Sequence, residues 1–81
     1  MNATANYIIE QLRPFEQLCY QVAHYLLGND RDAAAASEDA LIDLYQSPLF
    51  VSGSEEERRT LAKQTAIRFA LQRATKRPQI H

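Results

Sequence analysis

Chain breakers are scarce in this sequence. Two glycines and three prolines stand in 81 residues, at Pro14, Gly28, Pro48, Gly53 and Pro78. Between them run segments with little β-branched alternation, long enough for several helical turns. Such spacing predicts an all-α chain, because neither hairpin turns nor period-two strands have the residues they need. The fold expected is a compact bundle of three main helices, with or without a short extra helix at the N-terminus.

In RPFEQLCYQVAHYLLGND, Pro14 suits a first helical turn, where its missing N–H needs no partner. Phe15, Leu18, Cys19, Val22 and Leu26 follow at three- and four-residue steps as one apolar stripe, and Gly28 is the natural stop. The preceding NYIIEQL is either an extra turn or a continuation of the same helix kinked at Pro14. In DRDAAAASEDALIDLYQSP, Asp32 is the expected N-cap, Ala33, Ala36, Ala40, Leu41 and Leu44 form the stripe, and Pro48 terminates. Its alanines would let a neighbouring helix come close. The opposite surface presents Glu38, Asp39 and Asp43.

LFVSG reads as a loop in which Leu49, Phe50 and Val51 look exposed and either cover the core edge or meet a partner. Ser54 with Glu57 three residues later is a capping box, and Glu55 to Glu57 sit where the positive helix end favours acids. Along the third helix Leu61, Thr65 and Phe69 make one ridge, while Ile67 and Leu71 point to another side. A helix apolar on two sides is usually covered on both.

Charge is sorted along the chain. Residues 1 to 57 hold all ten acids against Arg13 and Arg31, a balance of −8, whereas residues 58 to 81 hold Arg58, Arg59, Lys63, Arg68, Arg73, Lys76 and Arg77 with no acid, a balance of +7. A basic segment of this kind, with its tail from about Arg73, points either to an anionic partner or to neutralisation by the acidic half of its own fold. With 46% hydrophobic and 23% charged residues the composition is globular, and 81 residues make one domain over 1–81 that buries roughly 60% of its unfolded surface.

No catalytic constellation stands out. Cys19 is the single cysteine and lies on the apolar stripe, so it reads as core, and neither a disulfide nor a metal-ligand pair can form around it. His24 lies on a helix flank and His81 is terminal. No glycine-rich phosphate loop, HExxH pair or calcium loop occurs. Tyr7, Tyr20, Tyr25 and Tyr45 read as core-edge residues with wet hydroxyls. The expectation is a non-enzymatic, cofactor-free, cytoplasmic protein without a membrane span.

FEQLCYQVAHYLLGNDRDAAAASEDALIDLY, a loop, and LAKQTAIRFALQRATKR together resemble the region 2 domain of sigma-70 family transcription factors of the extracytoplasmic-function type. Asp32 and Ala33 match the start of the second family helix, and Leu41, Leu44 and Tyr45 its end. In the third helix Ala66 matches. Leu61, Arg68 and Gln72 stand where the family has tryptophan, asparagine and aspartate. The resemblance implies that the second helix docks on the clamp helices of the largest RNA polymerase subunit, with Glu38, Asp39, Leu41 and Asp43 facing them. It implies that the third helix meets promoter DNA through Lys63, Arg68, Arg73, Lys76 and Arg77. An anti-sigma or co-sigma protein is a further implied partner, and the chain would be either part of a longer factor or a free-standing derivative. The rival expectation is a helical interaction module that forms a homodimer through Leu61, Ile67, Phe69 and Leu71. A third is a general nucleic-acid binder whose affinity disappears in moderate salt.

Overall fold

The computed structural model describes residues 3–76, with side chains placed for residues 7–75. The protein is all-α: α1 spans Ala3–Leu27, α2 Asp30–Tyr45, α3 Pro48–Ser52 and α4 Glu55–Lys76. The three long helices each pack against the other two, and α3 lies beside α2 and α4. Gln11 meets Arg58 and Cys19 meets Ala62, so α1 and α4 run in the same direction, with α2 returning between them.

α1 is one continuous helix, which settles the N-terminal alternative in favour of continuation. Pro14 lies inside it rather than in its first turn. A proline there leaves the carbonyl four residues back, that of Glu10, without its helical partner. Both residues are exposed, so water can satisfy it. Gly28 stops the helix as expected: it adopts φ +78°, the left-handed conformation that glycine reaches without strain, and its N–H bonds the His24 carbonyl at 2.8 Å.

The cap of α2 differs from the expectation at Asp32. Asn29 is the N-cap; its Oδ1 accepts the Asp32 N–H at 2.8 Å, and its Nδ2 donates to Asp32 Oδ2 at 2.9 Å. Asp32 is therefore the third helical residue, bonded by the Asn29 side chain at both its N–H and its carboxylate, and not the cap itself. At the other end α2 stops at Tyr45, capped by Gln46, so Pro48 terminates nothing. It opens α3 instead, a five-residue helix capped by Ser47, whose Oγ accepts the Phe50 N–H at 3.3 Å. LFVSG is thus mainly helix. Phe50 is fully buried, contrary to its exposed look in sequence, while Leu49 is exposed and Val51 half-buried.

Phe50 meets Phe15 edge-to-face at 5.7 Å and anchors a cluster with Leu12, Cys19, Leu44, Ala62 and Ala66. Ala23, Leu27, Ala33, Ala36 and Ala70 form a second cluster where the three helices approach at the other end. The buried line of α1 is Leu12, Phe15, Cys19, Ala23 and Leu27. Leu18 and Val22 only pack against its edge, and Leu26 is exposed. On α4 the buried line is Ala62, Thr65, Ala66 and Ala70, with Leu61 and Phe69 flanking it. Side chains without reach occupy the seams because the backbones come close there, which pushes larger residues to the flanks.

Candidate functional site

On α2 the core takes Ala33, Ala36, Ser37, Ala40 and Leu44. At 100° per residue the opposite ridge runs through Ala34, Glu38 and Ile42, with Asp39 toward the α4 side. Glu38 and Asp39 are exposed, and Ile42 is a large apolar residue left 56% exposed among them. Leu41, expected on this surface, is half-buried and packs against the core cluster. Asp43 lies on the flank that meets α4. Sequence reasoning missed Ile42. Its signal was available, since it stands one turn beyond Glu38 and off the alanine stripe.

The basic candidates of α4 are not gathered on one face. Arg68 donates to Asp43 Oδ2 at 2.8 Å and its guanidinium lies 4.8 Å from the Phe69 ring centre. Arg73 donates to Asp32 Oδ1 at 3.2 Å. Two of the expected DNA-facing residues are thus paired with the protein's own carboxylates across the α2–α4 seam, and one of those carboxylates, Asp43, is itself an expected polymerase contact. Lys63 is exposed on the opposite flank, beside α1, and together with Arg59 has no ion-pair partner among the described residues. Lys76 closes α4, but its side chain, like Arg77, lies outside the described residues. Between the flanks, the outermost line of α4 is Thr60, Gln64, Ile67 and Leu71, which carries no charge.

Arg58 is accounted for structurally. Its Nε donates to the Phe50 carbonyl and its Nη2 to the Val51 carbonyl, each at 2.8 Å, its Nη1 donates to Gln11, and it lies 5.4 Å from the Phe50 ring centre. It fastens the C-terminal end of α3 to α1 and α4. The capping box at the start of α4 is present as expected: the Ser54 N–H donates to Glu57 Oε1 at 2.7 Å and the Glu57 N–H to Ser54 Oγ at 3.2 Å. The bond from the Ser54 N–H first, and the Ser54 side chain second, hold the Glu57 carboxyl below its ordinary range.

At the α1–α2 turn, Asp30 Oδ1 accepts the Tyr20 hydroxyl at 3.0 Å and lies 3.1 Å from His24 Nε2. The bond to Asp30 raises the Tyr20 phenol above its ordinary pKa. Cys19 is fully buried, its thiol donating to the Ala62 carbonyl at 3.8 Å, and burial pushes it up to about 11. It can serve as packing, not as a nucleophile. Among the described residues no group of three or more metal-ligating side chains forms a cluster, and no helix is long and apolar enough to cross a membrane.

The expected dimer residues also divide. Leu61 and Phe69 pack against the core, while Ile67 and Leu71 are exposed. Ile67 lines an apolar groove of about 360 Å³ with Leu18, Val22, Tyr25 and Leu26 of α1. A second, more polar groove of about 670 Å³ lies between α3 and the start of α4, with Leu49, Glu56, Glu57, Thr60 and Gln64 among its walls. In comparisons with known proteins, no family model, no curated protein and no solved structure matches the chain.

Proposed function

We propose that the chain is a sigma region 2-like adaptor of the cytoplasm that docks on RNA polymerase clamp helices through the outward ridge of α2. The carrying observation is Ile42, an exposed apolar knob accompanied by Glu38 and Asp39 on a helix whose inner face is filled by the core. An apolar centre rimmed by acids suits a helical partner with an apolar seam and basic flanks. The charges steer the encounter and the buried knob supplies affinity. The succession of a long helix, an alanine-rich second helix and a long final helix supports the same resemblance.

Promoter contact, the second half of this reading, requires a rearrangement. Arg68 and Arg73 must leave Asp43 and Asp32 before either can neutralise a phosphate. For the exposed Arg68 pair that exchange is cheap, since such pairs contribute about 0–1 kcal/mol. Lys63 is available without any exchange.

Titration calorimetry of the full chain against a purified clamp-helix fragment tests the docking. Micromolar association is expected, weakened about tenfold or more by Ile42→Glu and by the double variant Glu38→Lys/Asp39→Lys, equivalent to about 1.4 kcal/mol. No association in low salt, or association indifferent to these substitutions, sinks the reading. Adding promoter DNA to the complex measures the second half: each phosphate contact adds about 0.9 to the log–log salt slope, and Lys63→Ala should remove one such step.

A further inference from the structure

The groove between α1 and α4 lies on the side of the bundle away from α2, and two features of it belong together. At one end it is apolar, formed by Leu18, Val22, Tyr25 and Leu26 with Ile67, of which Tyr25 is 85% exposed and Leu26 and Ile67 each 41%. Toward the N-terminal end of α4, Arg59 and Lys63 stand one turn apart on the flank next to the outer line that carries Ile67, both exposed and without an ion-pair partner among the described residues. The sorting is selective. Arg68 and Arg73, elsewhere on the same helix, are each held by a carboxylate, whereas the α1 residues that line the groove supply no acid, and Glu55 and Glu56, one turn before Arg59 at the start of α4, form an ion pair with neither cation.

We infer that this groove is a docking track for an amphipathic helix of a second protein, one that carries apolar anchors at three- and four-residue spacing and acidic residues about two turns away from them. The geometry sets that separation. Ile67 lies eight residues beyond Arg59, about 12 Å at 1.5 Å per residue, which is two turns of a partner helix laid along α4. Leu71, one turn beyond Ile67 and 51% exposed, extends the apolar end for a third anchor.

Charge decides the occupant. Two cations outside any ion pair among the described residues, beside an aliphatic trough, favour an acidic helix over a basic one. The groove's one aromatic wall residue, Tyr25, is a single stacking surface among leucine, valine and isoleucine, where single-stranded nucleic acid stacks successive bases on several aromatics. A second copy of this chain fits less well. Its exposed acids on α2 accompany the single anchor Ile42, and laying that ridge into this groove is a head-to-tail contact rather than the self-complementary patch of a two-fold dimer. Because α2 takes no part in the groove, an acidic helix can bind while α2 is engaged elsewhere. The inference therefore does not depend on the function proposed above.

The test uses the full chain and two synthetic helical peptides of roughly 20 residues, each with leucines at i, i+4 and i+7 and a glutamate pair about two turns N-terminal or C-terminal to them. A third peptide has lysines in place of the glutamates. Fluorescence anisotropy should show micromolar binding of one glutamate peptide, weaker by about tenfold or more for the lysine peptide, for Ile67→Glu and for Arg59→Glu/Lys63→Glu. The charge-reversed variant should in turn prefer the lysine peptide, a swap that loss of folding cannot produce. Circular dichroism checks that the variants, all at exposed positions, retain their helix. Glu38→Lys/Asp39→Lys should leave peptide binding unchanged, which separates this result from the docking of α2. Absence of binding by both glutamate peptides, or binding insensitive to the reversals, overturns the inference. So does sedimentation of the chain as a dimer that Ile67→Glu dissociates, which would assign the groove to a second copy.

Discussion

At the scale of single residues, the buried thiol and the capping carboxylate titrate in opposite senses. Cys19 has its pKa raised from 9.0 to about 11 by burial, so the protonated thiol is the form that suits the fold. Its contribution to stability is complete below 9.0 and is lost as pH climbs through about 11. At pH 8 about one thiol in a thousand is ionised. Iodoacetamide should therefore label the native chain only as it opens, and the denatured chain at once; rapid stoichiometric labelling of folded protein at pH 8 would contradict the burial. Glu57 behaves conversely, because its folded pKa is lowered by the bonds from Ser54. Its contribution is present above the ordinary glutamate value of about 4.3 and drains away as pH falls from there through the lowered folded value. Glu57→Gln keeps the capping geometry without a titrating group, so it should flatten the loss of thermal stability between pH 5 and pH 3. An unchanged acid limb would show that Glu57 does not contribute to it. The Ser54–Glu57 box was legible in sequence because it depends on residues three apart. The burial of Phe50 was not, because it depends on Phe15, far along the chain.

At the scale of elements, the helices are defined locally and their faces are not. The stop at Gly28, the start at Ser54 and the number of main helices follow from caps and breakers. The faces follow from what lies opposite. Leu26 looked like stripe and is exposed, while Ala23 and Leu27 beside it are buried. An apolar period of three and four residues is satisfied by either registration, and only the position of α2 and α4 chooses between them. The alanine seam makes this measurable. Ala66 is fully buried between helices, so Ala66→Leu should destabilise by about 1–3 kcal/mol through overpacking, read as a lower urea midpoint with an unchanged slope. The same change at exposed Ala34 should stay within about 0.5 kcal/mol. Equal effects at the two positions would mean that the seam is not closely packed.

At the scale of the whole molecule, the division into an acidic first part and a basic last part is partly reconciled within the fold. Asp43 and Asp32 of α2 hold Arg68 and Arg73 of α4, and Arg58 is engaged by carbonyls of α3. These pairs should differ in strength. The Arg68–Asp43 side chains are 54% and 44% exposed, against 39% and 18% for Arg73–Asp32. Double-mutant cycles should give Arg68–Asp43 a coupling of about 0–1 kcal/mol that fades in 1 M salt, and Arg73–Asp32 a larger one, since a shielded pair is screened less. The reverse order would be inconsistent with that burial. Arg59 and Lys63 stay outside these pairs, and the acidic partner inferred for the groove beside them rests on that and not on the charge count. The sequence by itself determined the helical class, the stop at Gly28, the Ser54–Glu57 box and the segregation of charge, because each rests on neighbours within a turn or on counting. Which cations are neutralised, which apolar residues remain at the surface and whether Phe50 is core or rim were decided by tertiary structure alone, since each depends on which residue of another helix comes to lie opposite.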